Sequence, residues 1–292
     1  MDTPAQVFDR ATVRRNRERA AASFADHDFL FREVGERLVD RLDDITRVFP
    51  LAVEIGARHG LLGDLLAGHG GVERLVETNL SLGASGDALS HGVICDEEVL
   101  PFAEGSLDLV ISNLALHWAN DLPGVLSQIR RALKPDGLFL ASLFGVQTLN
   151  ELGQALGEAE LAATDGMALR IAPLVDVRDA GALLQRAGFA LPVVDSDRID
   201  VTYPDALALM RDLRHMGETN AAVERPRHMS RRDVILASVA AYHERFADRE
   251  GRVPATFQVI YLTAWRPHES QQKPARRGSG EVSLTDVLGD DS

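Results

Sequence analysis

Residues 93–123 read VICDEEVLPFAEGSLDLVISNLALHWANDLP, and the parsing of this stretch decides the fold. A short apolar run, Val93 to Cys95, ends in the acidic pair Asp96 and Glu97. A polar turn, AEGS at 103–106, precedes LDLVIS at 107–112, a nearly continuous apolar run. Such runs mark strands buried on both faces, as in parallel sheets. The chain leaves the strand at Ser112 and Asn113 and enters a loop carrying His117 and Trp118. In open α/β sheets, ligands sit beyond the carboxyl ends of the strands. The acidic pair and the Asn113–Trp118 segment are therefore expected to face one pocket.

Upstream, PLAVEIG at 50–56 reads as a first buried strand running into the turn GARHG, with a helix from Leu61. RLVET at 74–78 is a second strand ending at Asn79, and a weak Gly- and Ser-rich helix is expected over 81–90. Two helices, 9–24 and 28–45, precede this block; Phe29, Val34, Leu38, Leu42 and Ile45 give the second an apolar face. Both are read as an N-terminal helical flank, 1–48. Downstream, a helix from Pro123 is stopped by Lys134-Pro135-Asp136-Gly137, and LFLASLF at 138–144 is a fifth strand. Helices at 150–163 and 176–187, a sixth strand at 193–204 and a seventh, antiparallel strand at 255–265 complete the pattern. Strands alternating with helices predict a parallel, doubly wound sheet. The chain thus divides into the flank, a domain over 49–267 with a helical insertion at 205–250, and a polar tail at 268–292.

With 31 basic and 44 acidic residues the formal charge is −13, which disfavours nucleic acid and anionic bilayers as partners. No apolar run approaches the ~20 residues of a membrane span. Cys95 is the only cysteine, so no disulfide framework or thiolate metal site is expected, and the chain is read as cytoplasmic. None of the nine histidines has Asp or Glu two positions on, so no metal site is assigned. Cys95, at a strand end, is read as core rather than nucleophile.

A strand ending in an acid and glycine, a second ending in a polar residue, and a third followed by Asp-Glu form the plan of a class I S-adenosylmethionine methyltransferase, a Rossmann-like fold. The resemblance narrows through FDR (8–10), RVFP (47–50), DEEVLPF (96–102), LALHWANDLP (114–123), LKPDG (133–137), TLNEL (148–152), RAGF (186–189) and MGETN (216–220). With VPATFQVIYLTAW (253–265) and HESQQKPARRGS (268–279), these resemble the mitochondrial complex I assembly factor 5 family over nearly the whole chain. FDR, LPF and LKPDG also resemble the malonyl-carrier-protein methyltransferase of biotin synthesis. The resemblance implies S-adenosylmethionine as cofactor, held by Glu54, Gly56, Gly60, Asn79, Asp96, Glu97 and Asn113. His117, Trp118 and Tyr203 are the substrate-side candidates, and no catalytic side chain is singled out. It further implies a protein substrate, a respiratory complex I subunit, whose arginine is hydroxylated or methylated. Carrier-protein or small-molecule O-methyl transfer is the alternative, and a non-catalytic assembly scaffold a third.

Two positions depart from the family plan. Arg58 replaces the middle glycine of the turn, with an expected strain of roughly 1 kcal/mol from positive φ. Asn79 replaces the usual ribose acid; loss of the charge would weaken the cofactor by about tenfold. The double change Arg58→Gly, Asn79→Asp is therefore expected to tighten binding. Lys273, Arg276 and Arg277 of the tail are expected to meet a partner's acidic patch.

Overall fold

Strand β4 (Leu107–Asn113) stands in the middle of the sheet, as its apolar run requires. The structure is a computed structural model describing residues 6–84, 92–164 and 166–272. Around β4 the described residues place β1 (Ala52–Ile55), β2 (Leu75–Asn79), β3 (Gly92–Ile94), β5 (Leu133–Phe144), β6 (Ala190–Tyr203) and β7 (Val253–Trp265), in the order β3-β2-β1-β4-β5-β7-β6. The first five strands are parallel; β7 runs antiparallel to both β5 and β6. The helices are α1 (Arg10–Ala20), α2 (Phe29–Asp43), α3 (Leu61–Leu66), α4 (Leu122–Ala132), α5 (Asn150–Thr164), α6 (Val177–Arg186), α7 (Ala206–His215) and α8 (Arg232–Phe246). This is the α/β methyltransferase fold, with a seven-stranded, mostly parallel sheet.

Because side chains alternate across a strand, β4, β5 and β7 feed two separate cores. Leu109, Ile111, Leu138, Leu140, Phe257 and Tyr261 pack with α2, α3, α5 and α7 on one face. Val110, Phe139, Leu143, Ile260 and Leu262 pack with α4 and α6 on the other. Aspartates set the starts of four helices: the Asp9, Asp121, Asp176 and Asp205 carboxylates accept from backbone amides in the first turns of α1, α4, α6 and α7.

Two expectations need revision. Residues 28–45 are not peripheral: Leu30, Phe31, Val34, Leu38 and Leu42 of α2 are completely buried against the sheet, so this helix is a core layer. The Lys134–Gly137 segment follows the end of α4 at Ala132, with Asp136 at φ +62°. It is continuous with β5, which begins at Leu133 and pairs there with Leu107. Of the helix expected over 81–90, Leu82–Ala84 form one short helical turn and 85–91 lie outside the described residues, as does the tail from 273.

Candidate active site and its buried charge network

The loops leaving β1 and β4 touch over Gly56. This glycine has φ +76°, and a Cβ there would sit 2.3 Å from the Ala115 Cβ and 3.3 Å from a Glu97 carboxylate oxygen. Only glycine tolerates both conditions. Glu54, two residues before, is buried on β1 beside Glu77 of β2, and its Oε2 has no hydrogen-bond partner. Burial, and then the Glu77 carboxyl, push the Glu54 carboxyl well above its ordinary range, against the pull of Arg58. Gly60, at φ +76°, caps α3.

At the end of β2, Asn79 is buried and occupied within the protein: its Nδ2 donates to the Ala57 carbonyl at 2.8 Å, and its Oδ1 accepts from the Leu80 amide at 2.8 Å. Asn113 is similarly engaged, donating to the Phe31 carbonyl and accepting from the Ser142 hydroxyl. Burial pushes the Cys95 thiol up to about 11, which makes it a poor nucleophile.

The acidic pair after β3 is met by two arginines of α1. Arg10 bonds both Asp96, at 2.7 Å, and Glu97; Arg17, almost fully buried, also pairs with Glu97. Burial alone would raise the Glu97 carboxyl, but Arg17 and Arg10 hold it down at about 2. Arg17 Nε and Nη2 remain without partners. A second knot lies alongside. Arg58 donates to Glu218 at 2.5 Å and to the Met216 carbonyl at 3.2 Å, and its guanidinium stacks over Phe31. Glu218 also accepts from Trp118 Nε1 at 2.9 Å and lies 3.1 Å from His117 Nε2. Burial opposes ionisation of Glu218, yet the His117 contact and Arg58 hold its carboxyl at about 2. Burial keeps His117 low, hence a neutral imidazole.

The strain expected at Arg58 is absent: besides the glycines, the left-handed residue of the turn is His59, at φ +53°, stacked on Phe24. Arg58 is a buried counter-ion for Glu218, so Arg58→Gly would strand that carboxylate. Asn79→Asp would likewise set a carboxylate against the Ala57 carbonyl. The expected gain from that double change is withdrawn.

α1 and the segment around Glu218 are tied into one cap. The Asp9 amide donates to the Ala221 carbonyl and the Val223 amide to that of Val7, while Asn16 and Arg19 bond Thr219. Phe8 packs edge-on against Trp118 with centroids 5.3 Å apart. Under this cap a cavity of about 810 Å³ opens beyond the ends of β4 and β5. Its walls are chiefly apolar, including Phe144, Leu149, Ile171, Met210 and Phe257, and His117, Trp118 and Glu218 line it as well. Asp96, Glu97 and Asn113 do not line it, so the single pocket expected for them and His117–Trp118 is not what the structure shows. Nor do Glu54, Gly56, Gly60 and Asn79, nor Tyr203, whose ring is buried where β6 hands over to α7.

The sequence reading missed Arg10 and Arg17. The available signal was their spacing: 10, 13, 17 and 20 fall on one helical face, where Val13 and Ala20 mark the buried side. Glu218 enters the sequence reading only within the MGETN motif. The residues present suit a zwitterionic amino-acid end: an orphaned carboxylate oxygen on Glu54, orphaned guanidinium donors on Arg17, and a turn cleared of side chain at Gly56. Among the described residues no group of three or more His, Cys, Asp or Glu is placed to hold a metal ion, and no helix is long and apolar enough to cross a membrane.

Residues 53–141 match a methyltransferase domain family. The chain is 44% identical to "Arginine-hydroxylase NDUFAF5, mitochondrial" of Danio rerio, over 96% of this chain and 89% of that protein. It is 36% identical to a "Malonyl-[acyl-carrier protein] O-methyltransferase" of a Methylovorus strain, over 91% of this chain and 92% of that one. The solved structure of YcgJ from Bacillus subtilis shares the fold, with a TM-score of 0.54, 15% identity, and coverage of 79% of this chain and 98% of that chain. The identity and coverage settle the kinship: the chain belongs to the family of the arginine-hydroxylase NDUFAF5 proteins.

Proposed function

We propose that this protein binds S-adenosylmethionine at the carboxyl ends of β1 to β4 and acts on an arginine of a respiratory complex I subunit during its assembly. The observation that carries the protein-substrate part is the cavity: it runs under the cap to His117 and Trp118, on the loop that leaves β4 beside Gly56, next to but not lined by the residues assigned to the cofactor. Its size suits a side chain together with its neighbours from a protein. The names of the relatives supply the arginine. The one cysteine supports a reducing compartment, read as the cytoplasm.

Glu54 would accept from the cofactor's ammonium and Arg17 would donate to its carboxylate. Gly56 and Gly60 would let the backbone approach, Asn79 would face the ribose, Asp96 and Glu97 the adenosine edge, and Asn113 the floor of the site. When bound, the cofactor supplies an electrophilic methyl group. The cap formed by α1 and residues 216–225 would exclude water, and the ion pairs of Arg10, Arg17 and Arg58 would fix the loops that frame the reacting side chain. The neutral His117, tied to Glu218 through Nε2, would hold that carboxylate in the cavity wall.

The test is mass spectrometry on the purified subunit after incubation with the protein and S-adenosylmethionine, in air with a reductant. A mass gain of one oxygen or one methyl group on an arginine is expected. No change on the subunit, with methylation of a malonyl carrier protein instead, would favour the second relative's chemistry; no modification of either would favour a scaffold.

A further inference from the structure

We propose that the mouth of the cavity recognises an acidic stretch of protein. The reacting residue would be flanked by carboxylates that meet Arg19, Arg211 and Arg214, and by apolar side chains that fill the cavity behind them. The inference rests on the reading of a protein substrate above and names the kind of segment that fits.

Arg211 and Arg214 project from α7 and line the cavity. Arg19 of α1 donates at 2.8 Å to the Thr219 hydroxyl, and Thr219 lines the same cavity. Arg15 lies one turn earlier. These cations are close enough to oppose one another: burial first, and then Arg214 and Arg15, lower the Arg19 pKa. Among the described residues none of the four forms an ion pair with a carboxylate, although neighbours on the same helices do, as in Arg14 with Glu18 and Asp212 with His27. Arg170, also in the wall, is satisfied by both oxygens of Glu160. The two carboxylates of the wall are engaged as well, Asp205 by the Ala208 amide and Glu218 by Arg58. On a chain of net charge −13, two uncompensated guanidiniums in the cavity wall, with Arg19 and Arg15 close beside them, are a local reversal of sign. A segment bearing an arginine would be repelled there unless it brought its own acids. With acids beside the arginine, the rim attracts the segment and orients it. The interior is apolar and larger than one side chain fills, so apolar neighbours complete the fit.

The experiment measures binding of fluorescein-labelled nonapeptides to the full chain by anisotropy. Each contains a central arginine, two leucines and a phenylalanine, with aspartate, asparagine or lysine at the remaining positions. The aspartate peptide is expected to bind about tenfold more tightly than the asparagine peptide at low salt, and less selectively as salt rises. In the Arg211→Glu, Arg214→Glu variant the preference should pass to the lysine peptide. Both sites are exposed, so the fold should hold; Arg211→Gln, Arg214→Gln is the milder control and should erase the preference. Equal binding of all three peptides, binding of none, or a preference unmoved by the variants overturns the proposal. Dodecyl phosphate binding in place of the aspartate peptide would overturn it too, by making the cavity an amphiphile site. A parallel titration with S-adenosylmethionine, expected to be unchanged in both variants, reports separately on the cofactor reading.

Discussion

At the scale of single residues, the buried carboxyls divide by partner. Glu97 and Glu218 each face guanidiniums and stay ionised, whereas Glu54 faces Glu77 and is driven towards its neutral form. Glu54 should then release a proton when the cofactor's ammonium arrives. We expect S-adenosylmethionine affinity to rise with pH until Glu54 ionises, and binding heats to vary with the ionisation enthalpy of the buffer; buffer-independent heats would contradict this. Glu97 and Glu218 have the opposite linkage. Their folded-state values, about 2, lie below the ordinary 4.5, so their contribution to stability is complete above about pH 4.5 and is lost as pH falls towards 2. Acid titration of Glu97→Gln should show a shallower loss over that window than wild type. Arg58→Gly, which strands Glu218, is expected to cost about 3–5 kcal/mol in denaturant unfolding. An unchanged midpoint would show that Arg58 is not the counter-ion.

At the scale of elements, α1 contributes charge where a core helix contributes hydrocarbon. Arg10 and Arg17 reach Asp96 and Glu97 at sequence separations of 86 and 80. No local pattern announces that pairing, which explains why the acidic pair was legible in the sequence and its partners were not. The strands were legible for the opposite reason: LDLVIS and LFLASLF report burial on both faces by composition alone. α2 was misjudged because position before the first strand says nothing about packing, whereas its apolar stripe did. The cavity was illegible, since its walls are drawn from residues between 117 and 257. The pairing of α1 with Glu97 predicts non-additivity. Arg17→Met alone should destabilise strongly, and adding Glu97→Met should recover at least about 1 kcal/mol in a double-mutant cycle. Additive effects would mean that the two side chains act independently.

At the scale of the whole molecule, the sheet brings the ends of β1 to β4 together, and the cap of α1 with residues 216–225 closes over them and the neighbouring cavity. Asn79 and Asn113 end β2 and β4, and both amides are engaged within the fold, which a family plan read from sequence does not reveal. What the account needs above all is a cofactor at Glu54 and Asp96. Calorimetric titration of the full chain with S-adenosylmethionine, beside Glu54→Gln and Asp96→Ala with melting curves for all three, asks that question. The account predicts saturable binding by the wild type and at least about tenfold weaker binding by each variant, with each variant still melting cooperatively. Absence of binding by the wild type, or undiminished affinity in both variants, would contradict it.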